Sequence, residues 1–282
     1  MRLKNSSGKT ILNTNGTKSG QVLSLLLHDV TDEPHRSGFM QPTAFRYKHS
    51  VSAFGEYLDA VEESGLPVTV LQDYGLDLRP ASCRISFTFD DGGASACTAA
   101  DLLEQRNWRG LFFVTTGLIG QRGFLTSRQI CDLASRGHVI GSHSCTHPDV
   151  FRSLSRQQMR QEWTDSRNLL QDLLGQPVNV GSVPGGDCDN VTIEEAATAG
   201  LTTLFTSEQV TTSWDYAGAT CYGRMMMLNS TAPETLRRWL RYPTVGVLPE
   251  RAVRFAKSSV KSIMGPFYMR LVERRRAQHE HA

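Results

Sequence analysis

Three stretches of this 282-residue chain carry side chains able to hold a cation and to move a proton. FTFDDGG contains Asp90 and Asp91, GSHSCTH contains His143 and His147, and LLLHDV contains His28 and Asp29. Two imidazoles and one carboxylate make a three-ligand divalent site with positions left over for water, and imidazole suits Zn, Co, Ni or Fe. Zinc lowers the pKa of a bound water to about 7. A second carboxylate, left uncoordinated, then takes the proton as that water attacks. Adjacent Asp90 and Asp91 suit this division of labour, because neighbouring side chains leaving an extended strand point in different directions. Plainer readings exist. Asp-Asp-Gly is a common turn, and histidines four apart fit one face of a surface helix, although Pro148 directly after them argues against a helix there.

Those residues need elements to bring them together. Val22–Leu27 is apolar on both faces, as a buried parallel strand requires. Further strands are expected at Leu66–Leu71, Arg84–Phe89, Leu111–Thr115, His138–Ser142, Val178–Val183 and Leu201–Thr206. Between them run helical patterns. Phe54, Leu58 and Val61 form one stripe before Gly65. Thr126 with Gln129, Ser155 with Gln158, Thr192 with Glu195 and Thr231 with Glu234 have the spacing of a capping box. Strand and helix alternating at this pace predict a parallel α/β architecture, a β/α barrel of about seven strands. Catalytic groups of such barrels sit where strands end. His28 and Asp29, Asp90 and Asp91, His143 and Pro184-Gly185-Gly186 all follow a predicted strand.

TFDDG followed by H-S-x-x-H resembles the polysaccharide deacetylase family (the NodB homology domain, carbohydrate esterase family four) across roughly residues 21–210. The resemblance implies a distorted β/α barrel and one divalent metal, and an enzyme that removes acetyl groups from N-acetylated amino sugars of a glycan. It makes Asp90 the base and Asp91, His143 and His147 the metal ligands. It makes Pro184–Gly186 the third motif, with the Gly185 N–H at the oxyanion. Two departures stand out. The arginine that opens the third motif and orients the base is replaced by Ser182, leaving Arg224 as a possible support. No histidine follows a late strand, since beyond His147 there are only His279 and His281. The HDV at residues 28–30 resembles the N-terminal motif of permuted members, the poly-N-acetylglucosamine deacetylases. His28 is therefore expected to be the acid that protonates the leaving amine, with Asp29 orienting it. Two other readings are hydrolysis of a different C–N bond in a small metabolite and a catalytically silent glycan-binding protein.

The rest of the composition narrows the class. Hydrophobic residues are 39% and charged residues 21%, enough for a sizeable core. Six scattered cysteines without a CxxC exclude a disulfide framework or a thiolate zinc site and suit a reducing compartment. His35, His49 and His138 are expected to be structural or solvated, and Cys145 and Cys188 to be inert fillers. A net charge of +2 gives no reason to expect nucleic acid. Residues 251–282 hold +6 of it, leaving −4 for residues 1–250. The expected organisation is a flexible lead (1–20), a deacetylase barrel (21–248) and a basic tail (249–282). The tail is either packed on the barrel or drawn to anionic lipid. With no apolar leader at the start of the chain, a cytoplasmic protein is expected, membrane-associated if the tail touches lipid.

Overall fold

The computed structural model describes residues 21–70, 83–186 and 188–252, with Leu3–Lys4 and Thr10–Ile11 as a short antiparallel pair. Most of the lead and the tail beyond residue 252 lie outside the described residues.

A nine-stranded sheet organises the molecule. Its strands are β1 (Gln21–Leu27), β2 (Cys83–Phe89), β3 (Leu111–Val114), β4 (Val139–Ser142), β5 (Val180–Ser182), β6 (Thr203–Phe205), β7 (Trp214–Tyr216), β8 (Ala219–Tyr222) and β9 (Met225–Met226). The order is β7-β8-β6-β5-β4-β3-β2-β1-β9, parallel except for the β7–β8 pair. β8 pairs with β6 and β9 pairs with β1, so one stretch, 219–226, serves both ends of the curled sheet. The fold is the expected distorted α/β barrel, with a different seventh strand. Leu66–Leu71 contributes only a bridge from Val68 to Ile85, and Leu71 is outside the described residues. Stretch 219–226 takes its place.

Alternation decides which core a strand residue joins. Val22, Leu111, Phe113, Val180, Phe205 and Tyr222 gather in one cluster, drawn from alternate positions of β1, β3, β5, β6 and β8. Leu23, Leu25, Phe87, Phe89 and Phe112 belong to the larger core beneath the helices, where Phe89 stacks on Phe112 at 4.8 Å. On the Phe113 face β2 carries small or polar residues, Ser86 and Thr88, both buried.

The helices start where caps are available. Ser50 caps α1 (Val51–Glu63), and full capping boxes open α3 (Ser127–Ser135) and α4 (Arg156–Leu174). Gly175, at φ 65°, ends α4 in the left-handed conformation. α2 (Ala96–Glu104) follows the Asp-Asp-Gly turn. Two starts differ from expectation. α5 (Asn190–Thr198) is capped by Asp189, to which Thr192 donates. α6 (Pro233–Arg241) begins with proline, while the Thr231 hydroxyl accepts from Leu228 N–H.

Candidate metal centre

Asp90 and Asp91 leave the end of β2, and Asp91 takes φ 74° so that its side chain turns back over the strand ends. His143 leaves β4, and His147 follows on a loop where Ser144 and His147 are also left-handed, at φ 62° and 55°. Such backbone strain in non-glycine residues persists only when surrounding bonds fix it. Here Ser144 Oγ accepts from His147 N–H, Ser142 Oγ accepts from Ser144 N–H, and Ser142 Oγ–H donates to Ser166 of α4. The Glu162 carboxylate, also on α4, accepts from the N–H groups of Cys145 and Thr146 at 2.9 and 2.8 Å and from the Thr146 hydroxyl at 2.7 Å.

The result is convergence. Oδ1 of Asp91 lies 3.4 Å from Nε2 of both His143 and His147. That oxygen is buried and accepts no hydrogen bond. A buried carboxylate oxygen without a partner is costly, and two imidazole nitrogens aimed at the same point complete the donor set of a divalent ion. The three donor atoms lie within 4.8 Å of one another. His143 Nδ1–H donates to the Ser182 carbonyl at 2.8 Å, which leaves the Nε2 lone pair for the ion. These residues fit a metal.

Asp90 is held separately. Arg224, fully buried between β8 and β9, grips both of its oxygens, Nη1 to Oδ1 at 2.7 Å and Nη2 to Oδ2 at 2.9 Å. Ser182 Oγ–H adds a bond to Oδ2 at 3.1 Å and itself accepts from Arg224 Nη2 at 2.7 Å. The guanidinium lies over Phe113 and Phe205, in the space that the small side chains of β2 leave. Serine at the third-motif position therefore makes room for an arginine arriving from the break between β8 and β9. Burial opposes ionisation of Asp90, yet Arg224 and the nearby histidines outweigh it and hold the carboxyl below the usual range. Burial opposes Asp91 as well, and His28, His143 and His147 overcome it. Burial and His143 lower His147, whereas for His143 the two aspartates outweigh burial and raise it.

The other expected site residues fall as follows. His28 leaves β1 and faces the same cavity, its ring against Tyr47 at 4.6 Å and its Nδ1 buried without a partner. Asp29 does not serve it. The Asp29 carboxylate accepts from Ser37 at 2.5 Å and Ser95 at 2.7 Å, so it ties the chain after β1 to the start of α2. The side chain alternates away from His28 because the two residues are neighbours on extended backbone. Pro184 is buried, and Gly185 and Gly186 line the cavity at φ 64°. A Cβ on Gly186 would lie 2.1 Å from Ser207 Oγ. His138 and His49 are structural, bonded to Glu104 and to the Met227 carbonyl, and burial lowers His49 to about 4.

The cavity, about 490 Å³, is lined on its outer side by Phe39, Gln41, Thr43, Arg46 and Tyr47. Sequence reasoning passed over these residues. The signal was length, since twenty-three residues separate β1 from the next long helix, and long connections are commonly functional.

The matched family model is that of polysaccharide deacetylase, over residues 79–204. Residues 79–204 therefore resemble the polysaccharide deacetylase family. Both metal-site motifs and Asp90 lie inside the matched residues, while His28 and Arg224 lie outside. Peptidoglycan-N-acetylglucosamine deacetylase PgdA of Listeria monocytogenes is 28% identical over 150 residues, 52% of this chain and 30% of that protein. The alignments span half or less of the length of the curated relatives. Among solved structures, the Streptococcus pyogenes deacetylase PplD, in complex with acetate, superposes with a TM-score of 0.62 at 21% identity, over 76% of this chain and 95% of that one. IcaB from Ammonifex degensii gives 0.63 at 20% identity, over 79% and 97%. At these identities the structural likeness shows the fold.

Proposed function

We propose that this protein is a metal-dependent N-deacetylase that hydrolyses the acetamido group of an N-acetylated amino sugar within an oligo- or polysaccharide or a lipid-linked glycan. The observation that carries the reading is the pairing of two carboxylates with opposite commitments. Asp91 faces two imidazoles with an unpartnered oxygen, and Asp90 beside it is clamped by Arg224. A glycan-binding protein needs neither arrangement.

Asp91, His143 and His147 hold the ion, and imidazole with carboxylate favours zinc, with Co, Ni or Fe also accommodated. When bound it supplies a Lewis acid at the acetyl carbonyl and a water of lowered pKa. Asp90, ionised at neutral pH, accepts the proton of the attacking water, and Arg224 keeps its oxygens from rotating away. The backbone at Gly185 lines the cavity where an N–H can meet the developing oxyanion. His28, which lines the same cavity, donates a proton to nitrogen as the C–N bond breaks. Acetate and a free amine leave.

Acetate release from N-acetylglucosamine oligomers, with Zn²⁺ or Co²⁺ added, tests the reading. Asp90→Asn is expected to lower turnover by at least about a hundredfold with metal content unchanged, the usual scale for a lost general base. Full activity in the metal-loaded variant, or no acetate from any acetylated sugar, overturns it.

A further inference from the structure

Arg46 sits on the outer wall of the cavity that holds Asp90, Asp91, His143 and His147. It is exposed, and no carboxylate pairs with it among the described residues. Several other arginines among the described residues are taken. Arg106, Arg136, Arg156, Arg160, Arg237 and Arg238 all pair with acidic side chains. Arg224, which reaches into the site, is spent on Asp90.

The position of Arg46 is nonetheless fixed. Its carbonyl accepts from Asn229 N–H at 2.8 Å, and the preceding Phe45 carbonyl accepts from the Asn229 side chain at 3.1 Å. Its guanidinium lies 5.7 Å from the centre of the Tyr47 ring, which lies tilted against His28. The cation is thus one aromatic ring away from the imidazole assigned to the departing nitrogen. Gln41 and Thr43, both exposed, stand on the same wall with hydrogen-bonding groups. Phe39 packs on His147 at 5.0 Å and closes the metal side with an apolar face. The wall therefore grades from apolar beside the metal ligands to cationic beyond His28.

We infer that the sugar acted on carries an anionic group, a phosphate or a carboxylate, on a carbon next to the one bearing the acetamide, and that Arg46 receives it. This rests on the deacetylase reading, which sets the acetyl at the ion and the nitrogen at His28. With the nitrogen fixed there, the groups that reach Arg46 across Tyr47 are those on the neighbouring ring carbons. A guanidinium fork matches either oxyanion with two parallel hydrogen bonds. The two sources differ in place, one at the anomeric carbon and one on an ether at the carbon on the other side.

Binding separates this inference from catalysis. Titration calorimetry on zinc-loaded Asp90→Asn protein would compare N-acetylglucosamine, N-acetylglucosamine 1-phosphate and N-acetylmuramic acid. One anionic sugar is expected to bind at least tenfold more tightly than the neutral sugar. Arg46→Ala is expected to remove that difference, and Arg46→Lys to keep part of it. Equal affinities for all three sugars, no binding of any, or an anion preference that survives Arg46→Ala overturns the inference. Acetate release by the wild-type enzyme is scored separately. Turnover of neutral sugars without an Arg46-dependent preference removes the anion subsite and leaves the deacetylase standing, whereas anion binding without acetate release does the reverse.

Discussion

Arg224 carries more of this site than any residue outside the metal ligands. A carboxylate as buried as Asp90 is tolerable only with its charge balanced, and the bidentate guanidinium is what balances it. Arg224→Met is expected to cost about 3 kcal/mol of stability, read as a lower urea midpoint, because it strands a buried charge. Turnover should fall about a hundredfold, because the base is no longer held against the attacking water. Adding Asp90→Asn to Arg224→Met should restore most of the stability and none of the activity. If Arg224→Met is as stable and as active as wild type, the arginine is not what supports the base. Much of the site at this scale was legible in the sequence. Asp90, Asp91, His143 and His147 announce themselves by residue type, by their spacing within two short motifs and by following predicted strands. Arg224 was legible only indirectly: the serine standing where an arginine was expected left it as a possible support, and with 134 residues between it and Asp90 nothing local placed it there. Asp29 misled for the opposite reason. Adjacency to His28 suggested partnership, whereas neighbours on extended backbone face different ways.

Helix α4 acts on the metal site without touching it. Its Glu162 takes three hydrogen bonds from Cys145 and Thr146, the residues between the two histidine ligands, and its Ser166 takes the hydroxyl of Ser142. The left-handed turns at Ser144 and His147 are held from this helix. Glu162→Ala is expected to weaken zinc affinity about 10–100-fold, the scale seen when the supports of metal ligands are removed, and to alter the absorption spectrum of the Co²⁺-loaded protein. Glu162→Gln should lie between, since an amide has one acceptor oxygen to offer three donors. Unchanged metal affinity in Glu162→Ala would mean the loop holds itself. The helices were readable because caps are local, and the boxes at Thr126 and Ser155 formed as their spacing required. The last barrel strand was not. Stretch 219–226 is broken at Gly223–Arg224, so neither half is long enough to show a period. Leu66–Leu71 has a better strand composition and yet forms only a bridge, because pairing positions in a parallel sheet are set by the whole order of strands and not by propensity.

Across the whole molecule, the candidate metal centre is where separate parts of the barrel meet. Asp91 comes from the end of β2, His143 from β4, His147 from the loop that α4 anchors, and the carbonyl fixing His143 from β5. The base beside them is held by an arginine from the stretch that links both ends of the sheet. An ion that binds this arrangement binds the folded state alone, since no unfolded chain presents ligands 52 and 56 residues apart at one point. Binding then adds RT ln(1 + [L]/Kd) to stability, about 2.7 kcal/mol at a free metal concentration one hundred times Kd. For a domain of this size the melting temperature should rise by about 5–10 °C when zinc is added to chelator-treated protein. Asp91→Asn or His147→Ala should melt at the same temperature with and without zinc. Asp90→Asn should keep the rise, because its oxygens are turned to Arg224 and not to the ion. A zinc-dependent rise that persists in both ligand variants would place the metal elsewhere in the molecule, and the absence of any rise in the wild-type protein would leave the unpartnered oxygen of Asp91 without its explanation.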